Sequence, residues 1–208
     1  MNHKLALPLF ITFEGIEGCG KSTQAKILYD YLKQQGYSVI LTREPGGTAI
    51  GNDIRKILID KKNNQIQPLT ELLLNFASRI EHLQQVILPA LKNNIIVISD
   101  RFYDSTLAYQ GFAMGVEIEI IEKMHQLMIN SIQPNITFLC DMDVEVAFQR
   151  IKSRFDNNRY EELSFDFHNK VRNGFLEIAK NNPHRIRIID ANNDISKVAE
   201  QVIKYLNF

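Results

Sequence analysis

The chain has 208 residues, 45% hydrophobic and 23% charged, which is material for a single domain with a real core. Its 24 Lys plus Arg are balanced by 24 Asp plus Glu, so no molecule-wide field draws it to nucleic acid and any anion site must be local. Two cysteines, Cys19 and Cys140, exclude a disulfide framework, and no apolar run has bilayer-spanning length; the expectation is a reduced, soluble, cytoplasmic protein with no membrane partner.

In chain order, the apolar N-terminal stretch lacks a small-residue cleavage site and is expected to end in a buried strand, Leu9 to Phe13, rather than to be a signal peptide. A helix is predicted from about Lys21 to Gln35, closed by Gly36 as a left-handed cap. A second strand follows at Tyr37 to Thr42. The Asn/Lys-rich stretch Asp60 to Gln67 reads as a surface loop, and Leu69 to Leu91 as a long helix with Pro89 near its end. Strands at Ile95 to Ser99, Ile136 to Cys140 and Ile186 to Ile189 then alternate with helices at Glu117 to Asn130, Val144 to Arg154, Ser164 to Lys180 and Ile195 to Leu206. Short, purely apolar strands alternating with amphipathic helices predict an α/β fold: a five-stranded parallel sheet with helices on both faces. Residues 1–208 read as one such domain, with a polar, basic excursion at about 150–163.

Directly after the first strand stands Gly15-Ile16-Glu17-Gly18-Cys19-Gly20-Lys21-Ser22-Thr23, which satisfies G-x-x-x-x-G-K-[ST] between a strand and a helix. Glycines let the backbone curl so that successive N–H groups face phosphate oxygens, and the helix adds the positive end of its dipole. Lys21 is placed to bridge outer phosphates and Ser22 to ligand a magnesium ion. The motif implies binding of a nucleoside triphosphate in a P-loop kinase fold. The D-x-x-G and N-K-x-D strings of a GTPase do not occur.

A small phosphotransferase also needs an acidic residue at a central strand end, arginines for an acceptor phosphate and a basic lid. Asp100-Arg101 closes the third strand and Arg43-Glu44 the second, at the carboxyl edge where ligands of such sheets bind. Asp100 would face magnesium and its waters, and Arg101 would grip a phosphate with its fork. Either pair alone reads first as a surface ion pair; two of them at strand ends beside a phosphate loop reverse that reading. Arg150, Lys152, Arg154 and Arg159 make the lid candidate, whose plain alternative is a solvated helix end. Phe76 alone reads as plain core on an apolar helix stripe; Arg79, one turn beyond it on the same face, shifts that reading, because a buried arginine requires a partner.

Gly15 to Thr23, T-R-E-P-G-G at Thr42 to Gly47, N-F-A-S-R at Asn75 to Arg79, D-R-F at Asp100 to Phe102 and S-T-L-A-Y-Q-G at Ser105 to Gly111 together resemble thymidylate kinases. R-Y-E at Arg159 to Glu161, S-F-D-F at Ser164 to Phe167 and I-D-A at Ile189 to Ala191 extend the resemblance in order over nearly the whole chain. It implies transfer of the terminal phosphate of ATP to dTMP, giving dTDP, with magnesium, in a homodimer. It further implies that Phe76 stacks on thymine, that Arg79 hydrogen-bonds the edge of the base and that Gln110 lies beside it. Arg101 and Arg43 would hold the acceptor phosphate, with Ser105 in the substrate site. Glu17 would sit near the sugar hydroxyl and the magnesium waters, and Tyr109 would crowd the 2′ position. Arg150 would pack on adenine near the Asp190-Ala191 turn. Asn75 stands where the family often has its stacking Phe, Asn158 where an acid often precedes the lid arginine, and Cys19 where a smaller residue is usual. The basic lid and the absence of arginine from the P-loop resemble the bacterial members.

A phosphate monoester has its second pKa near about 6 and needs no general base, so catalysis would reduce to alignment and charge neutralisation by Lys21, Arg101, Arg154 and Arg159. The rivals are a kinase for another nucleoside monophosphate and a nucleotide-gated switch. The helices at Leu69 to Leu91 and Glu117 to Asn130 would look alike whether they fill the core or pair across a dimer.

Overall fold

The structure, a computed structural model, describes residues 5, 7–130, 132–152 and 158–206. Its sheet contains β1 (Phe10–Glu14), β2 (Val39–Arg43), β3 (Ile96–Asp100), β4 (Ile136–Asp141) and β5 (Ile186–Asp190), all parallel, in the order β2-β3-β1-β4-β5. Every residue of β1 and β3 is buried, so side chains on both faces of the central strands are covered. Each strand ends one residue later than its apolar run suggests, because the polar residue closing the run still belongs to the ladder.

The helices are α1 (Lys21–Gln34), α2 (Ala49–Ile59), α3 (Pro68–His82), α4 (Leu88–Lys92), α5 (Tyr103–Thr106), α6 (Ile118–Ile129), α7 (Val144–Lys152), α8 (Phe165–Asn181) and α9 (Ile195–Lys204). Gly36, with φ of 83°, follows α1 as the left-handed cap its position requires. The predicted helix Leu69 to Leu91 is realised as α3 and α4 joined by a π-helical turn at Leu83–Ile87. The predicted end of α7 at Arg154 lies outside the described residues, and α7 is described to Lys152. Two elements went unpredicted. Thr48 caps α2 by accepting from the Gly51 N–H, and α5 runs into a π-helical segment at Leu107–Ala113.

The position of α5 is set from below. Arg185 Nη1 and Nη2 donate to the two Asp104 oxygens at 2.7 and 2.8 Å, a buried forked pair that ties α5 to the strand beside β4. Phe102, immediately before α5, meets Phe10 of β1 edge to face at 5.0 Å. Ser105, Tyr109 and Gln110 are thereby carried over the carboxyl edge of the sheet, where Glu14, Arg43 and Asp100 already lie.

Candidate active site

The loop between β1 and α1 is shaped by glycines that have no room for a side chain. Gly15 has φ of 139° and a Cβ there would lie 2.6 Å from the Cys140 carbonyl oxygen. Gly18 has φ of 79°, and a Cβ there would lie 2.6 Å from the Ala147 carbonyl oxygen. Both conditions select glycine. Lys21 folds back over the loop, its Nζ donating to the Ile16 carbonyl at 3.3 Å. Cys19 is buried beneath Gly15. A hydrogen bond with the Cys140 thiol, opposed by burial and aided by Lys21, lowers its pKa to about 6.

β3 delivers Asp100 to this loop, where the Ser22 hydroxyl donates to Asp100 Oδ2 and Arg43 Nη2 stands 3.7 Å from the same oxygen. Asp100 Oδ1 is buried with no partner among the described residues. One hydroxyl and one carboxylate with an unmet oxygen, beside a phosphate loop, fit a hard cation that draws its remaining ligands from phosphate and water. No group of three potential ligands exists among the described residues.

Arg101 follows in a left-handed conformation, φ 73°, which turns its side chain back across the sheet edge. Nη1 donates to the Gly15 carbonyl at 2.9 Å and to Ser105 Oγ at 3.0 Å; Nη2 donates to Glu17 Oε1 at 2.8 Å and to the Tyr109 hydroxyl at 3.0 Å. Tyr109 in turn donates to Glu17 Oε2. Burial favours the protonated form of Glu17, but Arg101, Lys21, His168 and the Tyr109 hydrogen bond outweigh it and hold the pKa at about 2. Below them Glu14 accepts from the Phe102 N–H at 2.7 Å and from Ser105; burial and then Asp104 push its pKa up to about 8, against the pull of Arg101.

Two cavities meet here. One, a cleft open to solvent with about 570 Å³ of empty space counted to its mouth, runs from Arg101 and Ser105 past Tyr109 and Gln110 to Asn75 and Arg79. The other, likewise open and with about 750 Å³ of empty space, lies over Gly18, Lys21 and Ser22 with Arg43 and Asp100. Glu17, Glu44, Arg55, Arg101 and Asn158 line both. Arg55 carried no sequence signal, since it sits on the unpredicted α2. It donates to the Pro45 carbonyl at 3.1 Å, and burial, Arg43 and Arg101 all disfavour its charge. A third groove on the far side of the loop is lined by Gly18, Gly20, Thr23, Arg150 and the turn from Ala191 to Ile195.

Arg79 is buried against Glu44, with Nε donating to Oε2 at 2.7 Å and Nη2 to the Phe102 carbonyl at 3.0 Å. Its Nη1 has no partner among the described residues. Glu44 is braced by His82 Nδ1 at 2.9 Å, and His82 Nε2 by Thr42 Oγ1 at 2.6 Å.

Two expectations need correction. Phe76 does not reach the cleft. It is 1% exposed in the core, its ring 5.5 Å from the Arg79 guanidinium, while Asn75 lines the cavity. Positions four apart share a helix face more closely than positions three apart, so it is Asn75 that accompanies Arg79. Arg159 does not face the phosphate loop either. It is 5% exposed, donates from Nε to the Leu58 carbonyl at 2.8 Å and pairs through Nη2 with the fully buried Glu71. A short helical turn at Arg159–Glu162, held by a capping box between Asn158 and Glu161, fixes it there. Arg154 lies outside the described residues.

The family model described as thymidylate kinase matches residues 13–202. The thymidylate kinase of Geobacter sulfurreducens is 46% identical over 203 residues, covering 95% of each chain. That of Mycoplasma capricolum is 44% identical over 200 residues, covering 95% of this chain and 94% of the relative. The crystal structure of thymidylate kinase from Ehrlichia chaffeensis superposes with a TM-score of 0.80 at 40% identity, covering 98% of this chain and all of that one. With the phosphate loop, the acidic strand end and the adjoining acceptor cleft in place, these likenesses over nearly the full length show that the chain belongs to the thymidylate kinase family.

Proposed function

We propose that the two joined cavities are the donor and acceptor halves of one phosphotransfer site. As a member of its family the chain transfers the terminal phosphate of ATP to dTMP, giving dTDP. The observation that carries the assignment of halves is the shared wall: Glu17, Arg55 and Arg101 line the cavity over the phosphate loop and the cleft that ends at Arg79. A phosphate on either side then lies within reach of the same cations.

In this reading the loop from Gly15 to Thr23 cradles the triphosphate, Lys21 bridges its outer groups, and the groove with Arg150 and Ala191 takes the adenine. Arg43, Arg55 and Arg101 hold the acceptor phosphate, with Ser105 orienting Arg101. Tyr109, fixed between Glu17 and Arg101, walls the sugar. Arg79, whose Nη1 has no partner among the described residues, faces the base, Gln110 lies beside it, and Phe76 supports Arg79 from beneath. Magnesium would be held by Ser22 and, through water, by Asp100; bound there it screens the charge of the transferred group. The acceptor is already ionised at neutral pH, so no side chain has to remove a proton. Arg154 is assigned to transition-state charge on its sequence position alone. The segment at about 150–163 acts as the lid of a single domain spanning 1–208, with Arg159 as its anchor.

The homodimer reading is supported by Ile50, Ile57, Leu69 and Leu73, large apolar side chains exposed on the packed helices α2 and α3. A cytoplasmic setting accords with the free thiols, and no described helix is long and apolar enough to cross a membrane. The test follows ADP production from ATP and magnesium with dTMP, dUMP, UMP, AMP, GMP and CMP offered separately. Turnover strongest with dTMP is expected. Preference for a purine monophosphate would overturn the base-site assignment, and acceptor-independent hydrolysis alone would overturn the assignment of the cleft.

A further inference from the structure

Behind the base end of the acceptor cleft sits a carboxylate that does not line it. Glu71 of α3 is fully buried. Its Oε1 accepts from Gln110 Nε2 at 2.8 Å and from the Tyr160 hydroxyl at 3.0 Å, its Oε2 takes Arg159, and its backbone carbonyl accepts from Asn75 Nδ2 at 2.9 Å. Gln110, Tyr160 and Asn75 all line the cleft. One buried residue therefore holds three parts of that wall, from two distant stretches of chain.

The chemistry of the contact decides more than position. A carboxylate paired with a guanidinium offers acceptors only. Gln110 must turn its NH₂ towards Glu71, because the reversed amide would set oxygen against oxygen in a buried site. The amide oxygen is then the end of Gln110 left for the cleft, on the same lining as Arg79, whose Nη1 has no partner among the described residues. A donor with an acceptor complements an imide edge, which offers a carbonyl oxygen and a ring N–H, as in thymine and uracil. The cytosine edge, an amino group beside a bare ring nitrogen, meets the same pair with donor against donor and acceptor against acceptor.

We propose that Glu71 is a positioning residue that fixes the orientation of the Gln110 amide and so makes the cleft select an imide base over an aminopyrimidine. The inference rests on the reading of the cleft as the base site. It is tested by steady-state kinetics with dTMP and dCMP on the wild type, E71Q, Q110A and the E71Q/Q110A double variant. A neutral amide at position 71 offers donor and acceptor alike, which frees Gln110 to flip. E71Q should lower the ratio of kcat/KM for dTMP to that for dCMP about tenfold, the size of one lost buried hydrogen bond. The loss should appear in KM for dTMP, with KM for ATP unchanged. Q110A should lower the ratio similarly and the double variant no further, since Glu71 acts through Gln110. E71Q with the wild-type ratio, or losses that multiply in the double variant, overturns the proposal while leaving the base site intact. A wild-type ratio in Q110A overturns the base site and the proposal with it. If E71Q fails to fold because Arg159 is left buried and unpaired, E71Q/R159Q removes both charges together and supplies the same comparison.

Discussion

Replacing Arg79 by methionine tests the acceptor cleft and the core beneath it together. Arg79 and Glu44 are 2% and 3% exposed and joined at 2.7 Å, so the variant leaves a buried carboxylate with His82 as its remaining side-chain partner. Breaking such a pair from one side costs about 3–5 kcal/mol. In a domain of this size each kcal/mol shifts Tm by about 2–4 °C, so R79M should melt about 6–20 °C below the wild type. Most of that loss is an uncompensated charge rather than lost packing, because methionine keeps apolar bulk beside Phe76 and Phe102, although the guanidinium's own contacts with the two rings go. Adding E44Q should therefore restore about half or more of the lost stability. The assay is urea unfolding of wild type, both single variants and the double variant. KM for dTMP should remain raised in the double variant, since the base still lacks the Arg79 N–H. Strict additivity of the two single effects, or a double variant that regains normal KM, would refute this account of the Glu44–Arg79 pair.

Lys21→Ala should lower kcat by about 10²–10³-fold or more, the scale of losing one preorganised cation at a developing charge, with the unfolding midpoint essentially unchanged; near-normal turnover would remove Lys21 from the phosphate site. Arg55→Ala should raise KM for dTMP about tenfold or more while leaving the free protein as stable or slightly more so, because Arg43 and Arg101 both oppose the Arg55 charge; thermal melts with and without dTMP check both halves. Glu14→Gln should change the pH dependence of stability. With its pKa raised to about 8 from 4.5, native Glu14 keeps a proton that the unfolded chain releases, so this group stabilises the fold fully below the lower value and loses that contribution as pH rises towards the upper one. Wild type should therefore lose stability relative to the variant between pH 5 and pH 8, and a constant difference in urea midpoints would contradict the shift.

The central strands were legible because a strand buried on both faces is apolar at nearly every position, as Phe10 to Phe13 is apart from Thr12 and Ile96 to Ile98 is throughout; the edge strands β2 and β5 are partly exposed and were legible from their β-branched runs alone. The phosphate loop was legible for a similar reason, since backbone sterics leave Gly15 and Gly18 no alternative. Helix α2 was not: it opens behind two glycines, and although Ile50, Ile54, Ile57 and Leu58 recur at helical spacing, the run is short and Gly51 and Asn52 stand in its first turn. Missing α2 also concealed Arg55. Arg159 was misassigned because Arg150, Lys152 and Arg154 precede it within ten residues, while its partner Glu71 lies 88 residues away and nothing local announces it. Phe76 was misassigned by a single residue, one helical step of about 100°, enough to move an aromatic ring from cleft to core.

The wall between the two cavities has a consequence for how the substrates are taken up. Both are polyanions, and both would sit against Arg101 and Arg55. Two ligands in contact with the same charged side chains cannot bind independently of each other. The thermodynamic cycle requires that the factor by which bound ATP alters the affinity for dTMP equals the factor by which bound dTMP alters the affinity for ATP. The guanidinium groups at that boundary are thus the place where the occupancy of one half is communicated to the other.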